Sequence, residues 1–308
     1  MKKFAGVLTA LIAIAMAAPA FGWSDSGHKL VAAIAYYDLG PARAKKVADI
    51  LRKHPDYALW MREKPANVPE DPYLFMRAAV WPDDIRGNDH PSHGEHKGTW
   101  HYATAWIPLP ANTPVPPLEA GEHIQQGVAK SLDTLKGNGP AKQKAIAICW
   151  LFHLIGDIQM PLHAGSLVTP VFNRGDQGGN LFYVKVGGRA TKLHSYWDGL
   201  LSRDVAKVGT DDVDDAKVLK VAQSLRGQFQ RGNLQELQTK KFEGNVLESR
   251  KLAYENGYLE GRLLGAKTPE QAFAVPPSYD TQSHALAQRR VSLGGYRLAD
   301  NLVSTLHL

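Results

Sequence analysis

The apolar positions of this 308-residue chain recur at helical spacing over most of its length. Residues 24–38 open on Ser24-Asp25-Ser26, a cluster suited to capping a helix, and carry Leu30, Ile34 and Ala35 on one face. Residues 41–54, PARAKKVADILRKH, place a proline in the first turn of a second amphipathic stretch. A short helix is predicted over residues 71–81, DPYLFMRAAVW, ending near Trp81-Pro82. Residues 87–99, rich in Gly, Pro and His, and the Pro-rich 108–117 read as loops. Helical pattern resumes over 118–136 and, strongly, over 140–159, followed by a glycine-containing loop over 165–179. The stretch GGNLFYVKVGG alternates as a strand or hairpin and is the clear β signal. Polar amphipathic helices are predicted over 211–265 and 284–306. With no internal repeat, low-complexity tract or linker, the expectation is a mainly α fold: one compact helical domain with one small β-hairpin.

The first 22 residues change that picture. MKKFAGVLTALIAIAMAAPAFG has two lysines, an apolar run and the small-x-small site Ala20-Phe21-Gly22, the pattern of a signal peptide. Cleavage there would leave a domain of residues 23–308 beginning at Trp23, exported to the periplasm or the medium. No other stretch is apolar for long enough to span a bilayer, so no membrane anchor is expected, and a monomer is. Apolar residues make up 44% of the chain, ample for a core. The formal charge of +6 becomes +4 once Lys2 and Lys3 leave. That suits a polyanionic substrate and equally suits an ordinary basic exported protein. Cys149 is the only cysteine, so no internal disulfide can form, and its apolar setting reads as an inert buried thiol.

The candidate chemistry is metal binding. In HLIGDIQMPLH, His153 and Asp157 stand four residues apart and share a helix face, about 5–6 Å apart at Cβ. Pro161 should end the helix and return His163 toward that face. His194 and Asp198 in LHSYWD repeat the spacing. A lone HxxxD pair is more often a surface hydrogen-bonded pair. His153 and Asp157, however, lie in an apolar helix, where unpaired burial costs several kcal/mol and a zinc-like ion explains them better. Asp83 in WPDDIR and His101 in TWHYATA are further candidates, and Asp84 serves as well as Asp83 on local grounds. A processed terminus would add the Trp23 amine and carbonyl, five residues before His28.

The ordered motifs WxxxGH (Trp23–His28), WxDxxR (Trp81–Arg86), His101-Tyr102, HxxGDxxxPLH, GDxGGN (Gly175–Asn180) and LHxxWD resemble the zinc-dependent single-strand nucleases of the S1/P1 type. The resemblance runs from Trp23 to about Leu200. It implies the helical fold shared with phospholipase C and three zinc ions. One would be held by Asp83, His101, His153 and Asp157. A second would be held by the Trp23 amine and carbonyl, His28 and the shared Asp157. The third would be held by His163, His194 and Asp198, with positions open to water and substrate.

The resemblance further implies cleavage of single-stranded DNA and RNA to 5′-phosphates, with 3′-nucleotidase activity as an extension. Metal-bound hydroxide would be the nucleophile. Arg86 would stabilise charge on the phosphoryl oxygens, although an exposed helix-end arginine is its plain alternative. Tyr102 would stack on a base, with core packing as its alternative. Gly178, Gly179 and Asn180 would bring backbone close to substrate or simply make a hairpin turn. Many relatives carry an acid three positions after the His101 equivalent; Thr104 stands there instead, and a hydroxyl orients water without being a strong base. The loop His90, His93 and His96 reads as solvated and near the cleft, with an extra metal or phosphate site as the other option. His54, His123, His284 and His307 lack ligand partners in sequence. A phospholipase C would carry Glu in place of Asp198 and a longer gap after its terminal tryptophan. A non-catalytic zinc-binding protein would need closed coordination, which the three-residue third site does not offer.

Overall fold

The computed structural model describes residues 23–308. The expected signal peptide lies outside the described residues. The first helix, α1 (Asp25–Leu51), follows Ser24, but the Ser24 hydroxyl does not cap it. That hydroxyl meets Ser26 Oγ at 2.6 Å and Ser202 Oγ at 3.2 Å instead. The helix bends at Gly40, where φ is +73°, so the two stretches expected over 24–38 and 41–54 join end to end across a Gly-Pro kink.

Helices α2 (Tyr57–Glu63) and α3 (Glu70–Asp84) follow. Pro82 was expected to end the latter near Trp81. It lies in the last turn instead, where the missing N–H removes one ladder bond, and α3 runs on to carry Asp83. After strand β1 (Trp106–Pro108), helix α4 (Ile124–Lys136) starts six residues later than its periodicity suggested, because Pro116, Pro117 and Gly121 keep the preceding chain irregular.

Helix α5 (Ala141–Asp157) runs through the middle of the molecule. From Ala147 to Asp157 every residue is buried, because the sequence there is apolar all round. It packs against α1, α3 and α4. Burial pushes the Cys149 thiol well above its ordinary range, as an inert thiol requires.

The β structure exceeds the single hairpin expected. Strand β2 (Ser166–Val168) pairs in parallel with β1. The hairpin itself is β3 (Tyr183–Val186) and β4 (Arg189–Lys192), turning at Gly187-Gly188. Helices α6 (Leu193–Asp198), α7 (Ser202–Val205), α8 (Asp215–Gln228) and α9 (Phe242–Leu252) come next. A single π-turn over Ala253–Gly257 extends α9. Strand β5 (Phe273–Ala274) adds to β3 in parallel, and α10 (Tyr279–Leu306) packs along α1. Among the described residues, no helix is long and apolar enough to cross a membrane.

Two arginines of α10 are almost wholly buried, Arg290 at 2% and Arg297 at 4% exposure. Both pair with Glu248 of α9, and Arg297 Nη2 donates to its Oε2 at 2.8 Å. They also grip the chain just beyond α5: Arg290 Nε donates to the Gln159 carbonyl at 3.1 Å, and Arg297 Nη1 to Gln159 Oε1 at 3.1 Å. Cations at this helix end suit its dipole. Removing the carboxylate strands two buried guanidinium groups. Glu248→Ala should therefore lower the unfolding free energy by about 3–5 kcal/mol in urea titrations. A loss under about 1 kcal/mol would mean the arginines find other compensation.

Candidate metal centre

The helix face predicted on α5 is present. His153 Nε2 lies 3.1 Å from Asp157 Oδ2. The two Asp157 oxygens serve different neighbours. Oδ2 also meets His101 Nδ1 at 3.2 Å, while Oδ1 lies 3.3 Å from His28 Nε2 on α1. The last turn of α3 brings Asp83 Oδ1 to 3.6 Å from His101 and 3.5 Å from His153. Asp84 points elsewhere and accepts from Arg77 at 2.9 Å, so Asp83 and not Asp84 joins the cluster.

Past Pro161 the chain returns His163 to 3.8 Å from Asp157 Oδ1. The His163 ring lies 5.0 Å from that of His194, whose Nε2 is 3.5 Å from Asp198 Oδ2 on α6. Three donor groups result: His28, His153 and Asp157; Asp83, His101 and His153; His163, His194 and Asp198. Trp23 is fully buried, and the next amide, Ser24 N, donates to the Asp198 carbonyl at 3.1 Å. The backbone next to Trp23 is thus fastened to the helix that carries His194 and Asp198.

Several observations test whether this set fits a metal. Three imidazoles donate Nδ1–H to backbone carbonyls: His153 to Ala79 at 2.7 Å, His163 to His101 at 2.5 Å, and His194 to Gly178 at 2.7 Å. Each Nε2 is left with its lone pair available, the usual state of a ligating histidine. Among the described residues, His28 Nδ1 and Nε2, His101 Nε2, Asp157 Oδ1 and Asp198 Oδ1 are buried without hydrogen-bond partners. Such orphans are costly unless a cation satisfies them. The separations of 2.8–3.6 Å between neighbouring donor atoms bracket the edge of a zinc tetrahedron, about 3.3 Å for arms of about 2.0–2.1 Å. The residues fit divalent ions of the zinc type.

The electrostatics agree. Arg86 Nη2 approaches His101 Nδ1 at 3.1 Å, and that same nitrogen faces His153 Nε2 at 2.8 Å. With Nδ1–H of His153 committed to Ala79, two lone pairs oppose each other unless a cation or proton lies among them. Burial opposes a charge on His153, yet Asp157 and Asp83 raise it to about 9. Burial likewise pushes His101 down to about 4 against the pull of Asp157. Burial would raise Asp157, but His153 and His163 hold it well below its ordinary range. For Asp198 the balance is reversed: burial, with Asp157 and Asp83 nearby, pushes it well above its ordinary range against the pull of Arg86. The cluster demands positive charge.

Two glycines in the motifs make room for this packing. A side chain at Gly156 would meet His28 Nδ1 at 2.7 Å, so His28 stacks on His153 with ring centres 3.9 Å apart only because that position is bare. Gly178 has φ +59°, and a Cβ there would strike the Leu162 carbonyl.

The centre opens into a cleft of about 800 Å³. Arg86, His101, His163 and His194 reach its floor, and Tyr102, Thr104, Gly178 and Asn180 line its walls. Arg86 is held to Asp83 at 2.5 Å. Tyr102 is half-buried in the wall, its hydroxyl donating to Glu119 at 2.9 Å. Asn180 Nδ2 donates to the Gln177 carbonyl at 3.0 Å. Gly179 sits behind Gly178, its carbonyl accepting from the amides of Phe182 and His194.

Sequence reading did not single out Trp106, Glu119 or Arg174, which also line the cleft. They sit in or beside loops, where no periodicity marks them. Of the histidine-rich loop, His96 lines the cleft, whereas His93 Nδ1 meets the Ile85 carbonyl at 2.9 Å and His90 Nδ1 accepts from Ser92 N at 3.1 Å. His54 stacks on Trp60, and His284 pairs with Asp204 at 2.9 Å, both away from the centre.

The family model described as S1/P1 Nuclease matches residues 23–307. Endonuclease 4 of Arabidopsis thaliana is 41% identical over 61 residues, covering 20% of this chain and 18% of that protein. Nuclease S1 of Aspergillus oryzae is 25% identical over 203 residues, covering 63% of this chain and 59% of that protein. The matched segments therefore span less than two thirds of either relative's length. The family match covers nearly every described residue, including all five clustered histidines and all three aspartates: the chain belongs to the S1/P1 nuclease family.

Proposed function

We propose that this chain is an exported, zinc-dependent nuclease. It hydrolyses phosphodiester bonds of single-stranded DNA and RNA, leaves 5′-phosphates, and acts on 3′-nucleotides at the same site. The observation that carries this reading is the convergence of three His/Asp donor groups beneath a cleft that also presents Arg86. Family membership and the nuclease names of the two relatives support it. Residues 23–308 act as one domain whose processed terminus is Trp23.

In this reading Asp83, His101, His153 and Asp157 hold one zinc ion. The Trp23 amine and carbonyl, His28 and Asp157 hold a second, and His163, His194 and Asp198 a third. Zinc held in these positions would supply Lewis acidity and the means to ionise water near neutral pH. The protein's own contribution is placement. Asp157 divides its two oxygens between neighbouring groups. The carbonyls of Ala79, His101 and Gly178 fix three imidazoles in the ligating tautomer.

Three aspartates would leave about half of the charge of three dications uncompensated, so the cleft floor would attract phosphate. Arg86, anchored by Asp83, stabilises charge on the phosphoryl oxygens. Tyr102 offers a face on which an unpaired base stacks, a contact that duplex bases already satisfy among themselves. Thr104 orients water in the cleft and leaves the proton to other groups.

Zinc-loaded protein beginning at Trp23 should cut single-stranded DNA and RNA in preference to duplex, spare a choline-phosphate ester, and lose activity in chelator. Preference for the choline ester would assign a phospholipase instead. A metal-loaded protein that cuts no nucleic acid overturns the reading. Asp157→Asn disturbs two donor groups at once, and kcat/KM should fall more than about a hundredfold. A loss under tenfold would remove Asp157 from its shared role. One extra residue ahead of Trp23 should lower zinc per chain from three to two with most activity lost. Unchanged zinc content and full activity would exclude the terminal amine as a ligand.

A further inference from the structure

The last third of the chain carries none of the candidate ligands, yet its π-turn touches the supports of all three residues in the third donor group. Ala253 and Gly257 of this turn are buried, Tyr258 just beyond it is fully enclosed, and so are Asp176 and Trp197. The Tyr258 hydroxyl donates to Asp176 Oδ2 at 2.7 Å. Asp176 Oδ1 accepts from Leu167 N at 2.8 Å and from Ser166 Oγ at 3.1 Å, tying the loop to β2. Two residues further on, the same loop presents the Gly178 carbonyl that receives Nδ1–H of His194.

A second line of contacts starts one residue earlier. The Gly257 carbonyl accepts from the Tyr279 hydroxyl at 2.7 Å, and that hydroxyl accepts from Trp197 Nε1 at 2.9 Å. Trp197 immediately precedes Asp198. A third contact is steric. A Cβ on Gly257 would lie 3.2 Å from Leu162, the neighbour of His163, and one on Gly165 would lie 2.8 Å from Ala253 Cβ. The turn therefore packs directly behind the segment that carries His163.

A π-turn widens the helix by one residue, a distortion common near functional sites. Here it lets adjacent residues, Gly257 and Tyr258, send contacts in two directions. We propose that Ala253–Tyr258 is a brace for the third metal position: it sets His194 through Asp176 and Gly178, Asp198 through Tyr279 and Trp197, and His163 through Leu162. Tyr258, Asp176 and Tyr279 are positioning residues on this view, because they touch neither substrate nor ion. The inference rests on the proposed zinc site and specifies what fixes its most open part.

Tyr258→Phe and Tyr279→Phe each delete one hydroxyl and keep the ring. Tyr296→Phe, which deletes a hydroxyl bonded to the distant Phe229 carbonyl, is the control. Zinc per chain and the rate of zinc release to a chelator are measured on folded protein. The expected result is that one of three ions becomes about 10–100-fold easier to remove in both brace variants, with the other two unchanged and the control like wild type. Wild-type release from both brace variants, while wild type holds three ions, overturns the brace and leaves the nuclease reading standing. Equal weakening in the control shows general loosening and also overturns it. A wild-type protein that binds no third ion overturns both.

Discussion

Five imidazoles and three carboxylates crowded into one buried space cannot be stable by themselves. Aspartates at 0–11% side-chain exposure lose their hydration, and the imidazole nitrogens face one another with few protons to share. Protonation relieves part of this, as the upward shift of His153 shows, but it leaves Asp198 pushed well above its ordinary range. Divalent ions satisfy both kinds of group at once. The surrounding structure fixes where these groups stand, with backbone carbonyls orienting three of the five imidazoles.

That geometry comes from simple helix rules. Residues four apart on α5 and on α6 supply two His/Asp pairs, and the bare edge at Gly156 lets α1 bring His28 against α5. The ends of α3 and α5 then place Asp83 and His163. Carbonyls from three other segments hold three rings in orientation. The buried arginines of α10 secure the chain immediately after Asp157, so the last helix stabilises a centre to which it contributes no ligand.

Much of this was legible in the sequence. An apolar run, residues 145–157, interrupted only by His153 and Asp157 signals function, because burial of such groups needs a reason. The choice between Asp83 and Asp84 was not legible in the local residues, and only the family resemblance pointed to Asp83. It depends on α3 continuing through Pro82 and on Arg77 taking Asp84, a contact between residues seven apart. Strands β1, β2 and β5 are two or three residues long, with partners far away in sequence, so they leave no periodic trace. Arg290 and Arg297 read as surface residues of a polar helix, since one-dimensional pattern cannot show Glu248 waiting for them. The cleft-lining Glu119 and Arg174 are invisible for a similar reason: loop residues acquire neighbours only when the chain folds.

Whether ions occupy the cluster is read from a zinc-edge anomalous difference map of the protein beginning at Trp23. Three peaks are expected. One lies among Asp83, His101, His153 and Asp157, one among Trp23, His28 and Asp157, and one among His163, His194 and Asp198. Density for metal elsewhere, or none between these side chains in protein that has never met a chelator, would contradict it.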